Sequence, residues 1–143
     1  MFIRNNGLIA FNRNGTFVPL PLKYIVAEGY ECHPRRIQDI SAERNVDGAL
    51  LRDTAKGRPS TISVQLNLES NEEVNIVFSL LKQCYTVPAE RKLNVRFYSP
   101  EDDAYLIENM YLADPQFKMT DITGDKVYYE PMTLDFIGYG DNQ

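Results

Sequence analysis

Apolar and polar residues alternate at period two through most of this chain, and one stretch changes to the 3.6-residue period of a helix. Ile62, Val64, Leu66 and Leu68 alternate with Ser63, Gln65 and Asn67, which predicts a strand with one buried face and one that is wet or lines an interface. Ser70 follows at a helix-cap position with Glu73 three residues on, the spacing at which each side chain satisfies a free backbone N–H of the other. Val74, Val77, Phe78, Leu81 and Tyr85 then form an apolar stripe, Glu72 and Glu73 suit the positive end of the macrodipole, and Pro88 ends any continuation. A helix over about residues 71–85 is expected.

Leu93, Val95 and Phe97 alternate with Asn94, Arg96 and Tyr98, and the polar connection Ser99-Pro100-Glu101-Asp102-Asp103 leads to a second strand from Tyr105 to Leu112. A further pair is expected about Thr123-Gly124-Asp125, with Phe117 to Ile122 before the turn and Val127 to Ile137 after it, Met132, Leu134 and Phe136 facing one way. Nearer the N-terminus, Leu22, Tyr24 and Val26 alternate with Lys23, Ile25 and Ala27 and predict a strand running toward Gly29 and broken near Pro34. Residues 7–11 and 17–20 flank the turn dipeptide Asn14-Gly15 and read as a hairpin or arm, whose exit Pro19 and Pro21 keep extended. Strands, one helix and more strands predict a mainly β (β+α) fold, a β-sandwich or barrel-like domain spanning 1–143 with the helix on one side or edge.

Residues 35–58, RRIQDISAERNVDGALLRDTAKGR, fit no such pattern. Asp47-Gly48 signals a tight reversal, because Gly48 adopts positive φ without steric cost. Ten of these 24 residues are charged, and Ile37, Ile40, Val46, Leu50 and Leu51 follow neither period. A two-stranded ribbon is marginal alone in water, so a long polar one is either a mobile charged loop or packs on another subunit. The second is the reading preferred here. Charge adds to it: Arg35, Arg36, Arg44, Arg52, Lys56 and Arg58 stand against Asp39, Glu43, Asp47 and Asp53, a local +2 in a chain of formal charge −5, which leaves −7 on the rest. Copies of one chain can use such a split, the hairpin of one meeting the acidic body of the next, although each exposed pair is individually weak.

The hydrophobic fraction of 43% and charged fraction of 24% are ordinary for a folded chain and argue against disorder. Net acidity without a basic run argues against a dedicated nucleic-acid binder. Cys32 and Cys84, with no signal peptide ahead of them, read as free thiols of a protein made in a cytoplasm. No apolar run approaches the roughly 20 residues that span a bilayer, so no membrane partner is expected.

Candidate chemistry is sparse. His33, the single histidine, adjoins Cys32 and Glu31, but consecutive residues of an extended segment point to opposite faces, so a Cys–His pair would diverge. No metal-ligand spacing, phosphate-cradling glycine loop or nucleophile arrangement is present, and neither catalysis nor a cofactor is expected. Glu101-Asp102-Asp103 reads as a solvated loop, and it is an incomplete ligand set for calcium. Tyr98, Tyr105, Tyr111, Tyr128, Tyr129 and Tyr139 concentrate in the second half, as an interface belt or as pairs within a sheet.

The order SAERNVDGALLRDTAKGR, TISVQLNL, SNEEVNIVFSLLKQCY, LNVRFYSP and MTLDFIGYG resembles the phage tail superfamily of tube proteins and distal-tail ring domains, in which a long charged hairpin precedes a strand, a helix and closing strands. LKYIV, DISAERNVDGALLRD and the final LDFIGYG look like a family of small prophage tail-region proteins. The likeness covers about residues 16–140 and leaves 1–15 as an N-terminal arm. It implies a virion structural protein made in a bacterial host, forming a homo-oligomeric ring, sixfold in most relatives, around the DNA channel. Its partners would be copies of itself, tail proteins above and below, and DNA passing without specific binding. The hairpin at about 35–58 would then be the inter-subunit element, and Ser63, Gln65 and Asn67 a lumen face, the alternative being an ordinary solvent face. Two other function classes stand beside it: a small β-barrel module binding carbohydrate or single-stranded nucleic acid, and an enzyme of unrecognised type.

Overall fold

The computed structural model describes residues 7–36, 39–44, 50–54 and 58–140, the two inner segments by their backbone. The fold is mainly β with one α-helix among the described residues. Strands β1 (Ile9–Arg13), β2 (Thr16–Pro19), β3 (Ile25–His33), β4 (Asp39–Arg44), β5 (Leu50–Thr54) and β6 (Thr61–Leu66) precede α1 (Asn71–Cys84). β7 (Lys92–Ser99), β8 (Ala104–Leu112), β9 (Met119–Thr123), β10 (Lys126–Tyr129) and β11 (Met132–Gly138) follow it. Seven strands form one antiparallel sheet in the order β2-β1-β7-β8-β11-β6-β3, while β4 with β5 and β9 with β10 form two separate ribbons.

The large sheet curls strongly. Phe11 on β1 and Phe136 on β11 bring their ring centroids to 5.5 Å although β7 and β8 lie between those strands. In a flat sheet the two strands would be roughly 14 Å apart. The Tyr30 hydroxyl on edge strand β3 donates to the Tyr98 carbonyl on β7 at 2.6 Å, four strands away in the order. The curl therefore wraps the inward residues around one core, with Ile9, Phe11, Ile62, Val64, Leu66, Leu93, Val95, Phe97, Met110, Leu134 and Phe136 buried in a single cluster.

Helix α1 closes that core with Val77, Leu81 and Cys84, and Val74, Phe78 and Tyr85 pack beside them, so the expected stripe is the buried face. The expected capping box is not formed. Ser70 is the N-cap residue but its side chain makes no cap bond, and Glu73 accepts instead from the Glu69 N–H at 2.9 Å. Ser70 is held through its backbone, which bridges to Tyr128. Ser70→Ala is accordingly expected to change unfolding free energy by less than about 0.5 kcal/mol, where an N-cap serine is ordinarily worth ~1 kcal/mol. Urea unfolding of the variant measures this, and a loss near 1 kcal/mol would mean the hydroxyl caps the helix in solution.

Three further expectations are corrected. Residues 9–13 are an inner strand of the large sheet, with Ile9 and Phe11 in the core, so the stretch expected as an arm over 1–15 is integral from β1 onward; residues 1–6 lie outside the described ones. Its turn is as read, Asn14 and Gly15 both at positive φ (52° and 93°). The strand placed from Leu22 begins only at Ile25, after a 3-10 turn at Leu22–Tyr24, and it bulges between Ile25 and Tyr30. Residues 127–137 are two strands: after Tyr129 the chain passes Glu130-Pro131 and β11 moves to the large sheet, between β6 and β8. Proline lacks the N–H that a continuous ladder requires there.

Candidate functional site

Within the stretch 35–58, β4 and β5 pair as an antiparallel ribbon, with Ala42 opposite Arg52 and Arg44 opposite Leu50. Neither strand joins the large sheet or the β9–β10 ribbon. Asp39, Glu43 and Arg44 fall on β4, and Arg52 and Asp53 on β5. The side chains of these five lie outside the described residues, as do Asp47, Gly48 and Lys56 entirely.

The root of the ribbon is fully specified. The Arg36 N–H donates to the Pro59 carbonyl at 2.9 Å, tying entry to exit, and the Arg35 N–H donates to Ser60 Oγ at 2.8 Å. Arg35 takes φ 45°, and its guanidinium donates to Asp102 Oδ2 at 2.6 Å, with Glu101 at 3.9 Å. Ser60 is fully buried: its N–H donates to Glu108 Oε1 at 3.1 Å, its hydroxyl to Glu108 Oε2, and its carbonyl accepts from the Gly138 N–H at 2.8 Å. Glu108 is 3% exposed. A carboxylate with that little water is tolerated when fixed donors face it, and the two from Ser60 do. Arg36 and Arg58 remain exposed.

Ser60, Glu108 and Gly138 are not among the residues singled out from the sequence. A signal existed for Glu108, which shares its parity on β8 with Leu106, Met110 and Leu112, an acid at an inward position of an apolar alternation. The 101–103 stretch is also more than a solvated loop. Asp102 receives Arg35 and the Ser99 hydroxyl, and Asp103 receives the Tyr98 hydroxyl.

The second candidate surface is the outer face of β6. Ile62, Val64, Leu66 and Leu68 are buried, while Gln65 and Asn67 are exposed and Ser63 half-buried, as the alternation predicts. Register places Glu31 on β3 and Asp135 on β11 opposite Ser63, and Ser63 donates its hydroxyl to Asp135. Glu28, Gly29, Glu31, Ser63, Gln65 and Thr133 line a shallow concavity of about 220 Å³. Its charged lining residues are all acidic.

Cys32 packs against the core while His33 is exposed, so the two diverge, and both cysteines are free thiols. Burial pushes the Cys32 thiol up to about 11, and burial likewise raises the neighbouring Tyr30 hydroxyl. Among the described residues no group of three or more His, Cys, Asp or Glu could hold a metal ion, and no helix is long and apolar enough to cross a membrane. The tyrosines pair largely within the fold, Tyr98 with Tyr105 at 6.3 Å, Tyr111 with Tyr139 at 5.6 Å, and Tyr129 with Phe117 at 6.0 Å.

No curated protein and no solved structure matches the chain. A family does, over residues 6–139, a span that takes in β1, the ribbon and its root, the helix and all the closing strands. The chain therefore belongs to the family described as a family of unknown function, DUF6711.

Proposed function

We propose that this protein is a structural subunit of a phage or phage-like tail, forming a homo-oligomeric ring, hexameric by analogy with the superfamily it resembles, around a DNA channel. The observation that carries this reading is the contrast between the two halves of residues 35–58. The root is anchored by buried hydrogen bonds, yet among the described residues the ribbon beyond it pairs with no other strand. A two-stranded ribbon gains stability from a third strand or a packed face, and a neighbouring copy supplies one. The acidic concavity on β6 supports a lumen position for Ser63 and Gln65, with Asn67 next on the same strand face, because a carboxylate-lined wall repels phosphate and lets DNA slide. On this reading the protein acts by assembly, next to tail proteins above and below it.

Size-exclusion chromatography with light scattering, followed by negative-stain imaging, tests the proposal. Rings or stacked tubes are expected, and a protein that stays monomeric at its highest attainable concentration counts against it.

A binding-module reading draws on one observation, a groove of about 510 Å³ lined by Val74, Phe78, Tyr85, Pro115 and Phe117 with Lys82 and Arg91 at its rim. Aromatic side chains beside cations suit single-stranded nucleic acid. Arg91 is already paired with Asp114, and the net charge is −5, both of which weaken that use. Fluorescence anisotropy with a labelled oligothymidylate separates the readings, no binding at physiological salt being expected of a ring subunit.

A further inference from the structure

An asparagine followed by glycine is open to attack by its own backbone. The glycine nitrogen can add to the side-chain amide carbon of the asparagine, because no Cβ on the glycine obstructs the approach. Two such pairs occur in this chain, Asn6-Gly7 and Asn14-Gly15, and Asn6 lies outside the described residues. Asn14 and Gly15 are the exposed two-residue turn between Arg13 and Thr16, and their φ values of 52° and 93° are those of a type I′ turn. A Cβ on Gly15 would meet nothing within 4 Å beyond its chain neighbours. Neither burial nor crowding shields this pair.

A hydrogen bond takes that part. In a two-residue turn the ladder closes on the N–H of the residue after the turn, and the N–H of the second turn residue lies outside it. Gly15 donates this N–H to Asn12 Oδ1 at 2.8 Å. The acceptor is aimed by a relay across neighbouring strands β1, β7 and β8: Asn12 Nδ2 donates to Asn94 Oδ1 at 3.3 Å, and Asn94 Nδ2 donates to Asn109 Oδ1 at 3.2 Å. One donor direction runs through the relay. Turning the Asn12 amide over would present Nδ2 to the Gly15 N–H and set its oxygen against that of Asn94, two mismatches at once.

We infer that Asn14 is a site of spontaneous self-modification and that Asn12, aimed by Asn94 and Asn109, keeps it closed. In the reaction the Gly15 nitrogen gives up its proton and bonds to Asn14 Cγ, the side-chain nitrogen leaves as ammonia, and a five-membered succinimide remains. Water then opens the ring at either carbonyl, giving aspartate or isoaspartate. While Asn12 holds the Gly15 N–H, that bond must break before the nitrogen can lose its proton and swing toward Cγ. Isoaspartate adds one carbon to the backbone of a turn that sets the register of β1 with β2, and β1 carries Ile9 and Phe11 in the core. Modification at the tip therefore reaches the fold as a slow loss of stability. The inference is independent of the assembly reading.

Incubation of the full chain at mildly alkaline pH, followed by peptide mapping with mass spectrometry, tests it. Asn14 is expected to convert more slowly than in a synthetic peptide of residues 11–17, and Asn12→Ala should raise the rate about fivefold, the factor that one hydrogen bond of ordinary strength represents. Asn12→Asp keeps an acceptor in place and should stay protected, while Asn94→Ala should fall between parent and Asn12→Ala. Gln83→Ala removes the turn's other tether, the Arg13 guanidinium's bond to Gln83 Oε1 at 3.0 Å, and should leave the rate unchanged. Circular dichroism identifies any variant that is not folded, and if Asn12→Ala is one, Asn94→Ala carries the test, acceleration supporting the guard and a parental rate overturning it. A folded Asn12→Ala protein that converts no faster than the parent, or a parent as fast as the peptide, overturns the inference. Equal acceleration by Gln83→Ala would show that general loosening of the turn sets the rate, and the assignment to Asn12 would fall.

Discussion

A chain in which residues 44–52 are replaced by a short Gly-Ser turn is expected to remain folded and to stay monomeric under conditions where the parent assembles. The expectation follows from where the ribbon is and is not connected. Its root lies outside the deleted stretch and retains the bonds of Arg35, Arg36 and Ser60, and the described members of the buried cluster lie on other elements and are untouched by the deletion. Unfolding of the monomer should therefore shift by no more than about 2 °C, while sedimentation or light scattering reports complete loss of the oligomer. Intact assembly of the shortened protein would show that subunits meet through another surface. A large drop in melting temperature would show that the ribbon packs on its own body.

Gly138→Ala is expected to be the most damaging small substitution. A methyl group at that position would sit 2.7 Å from Glu108 Oε1, 3.0 Å from the Ser60 nitrogen and 3.1 Å from the Ser60 oxygen. The carboxylate is pinned by its two bonds to Ser60, and the other two atoms are backbone, so nothing in contact can yield cheaply. Overpacking of this kind costs about 1–3 kcal/mol, and displacing Glu108 from its donors adds to it, placing the expected loss at about 3 kcal/mol by urea denaturation. Glu108→Asp in the same chain should recover part of the loss by shortening the carboxylate arm, but not all, because the Ser60 backbone contacts remain. A Gly138→Ala protein as stable as the parent would contradict the packing described for this node.

The legibility of this fold in its sequence follows the range of the interactions involved. Alternation at Ile62–Leu68 and Leu93–Phe97 reports burial directly, because side chains of a strand take opposite faces in turn, and the structure buries those residues. The stripe from Val74 to Tyr85 is equally local and equally legible. Failures came where a neighbour distant in sequence decides. Glu73 binds the Glu69 N–H rather than that of Ser70, whose backbone is engaged by Tyr128. The apolar alternation of 127–137 continues through Pro131 without showing that the chain changes sheets there. The stretch 7–11 was too short to distinguish a peripheral arm from a core strand until β7 paired with it. The hairpin is legible as two strands, but its anchorage is not: Ser60 and Glu108 are 48 positions apart and meet across Gly138, on the strand that lies between β6 and β8.

The anchored root has a kinetic corollary. Arg35, Arg36 and Ser60 are fastened within the single chain, so the base of the 35–58 stretch is set without a neighbour. If copies assemble as proposed, the residues at that base have no further conformational entropy to surrender on docking. Loosening that fastening should slow nucleation of the oligomer more than it weakens the finished particle.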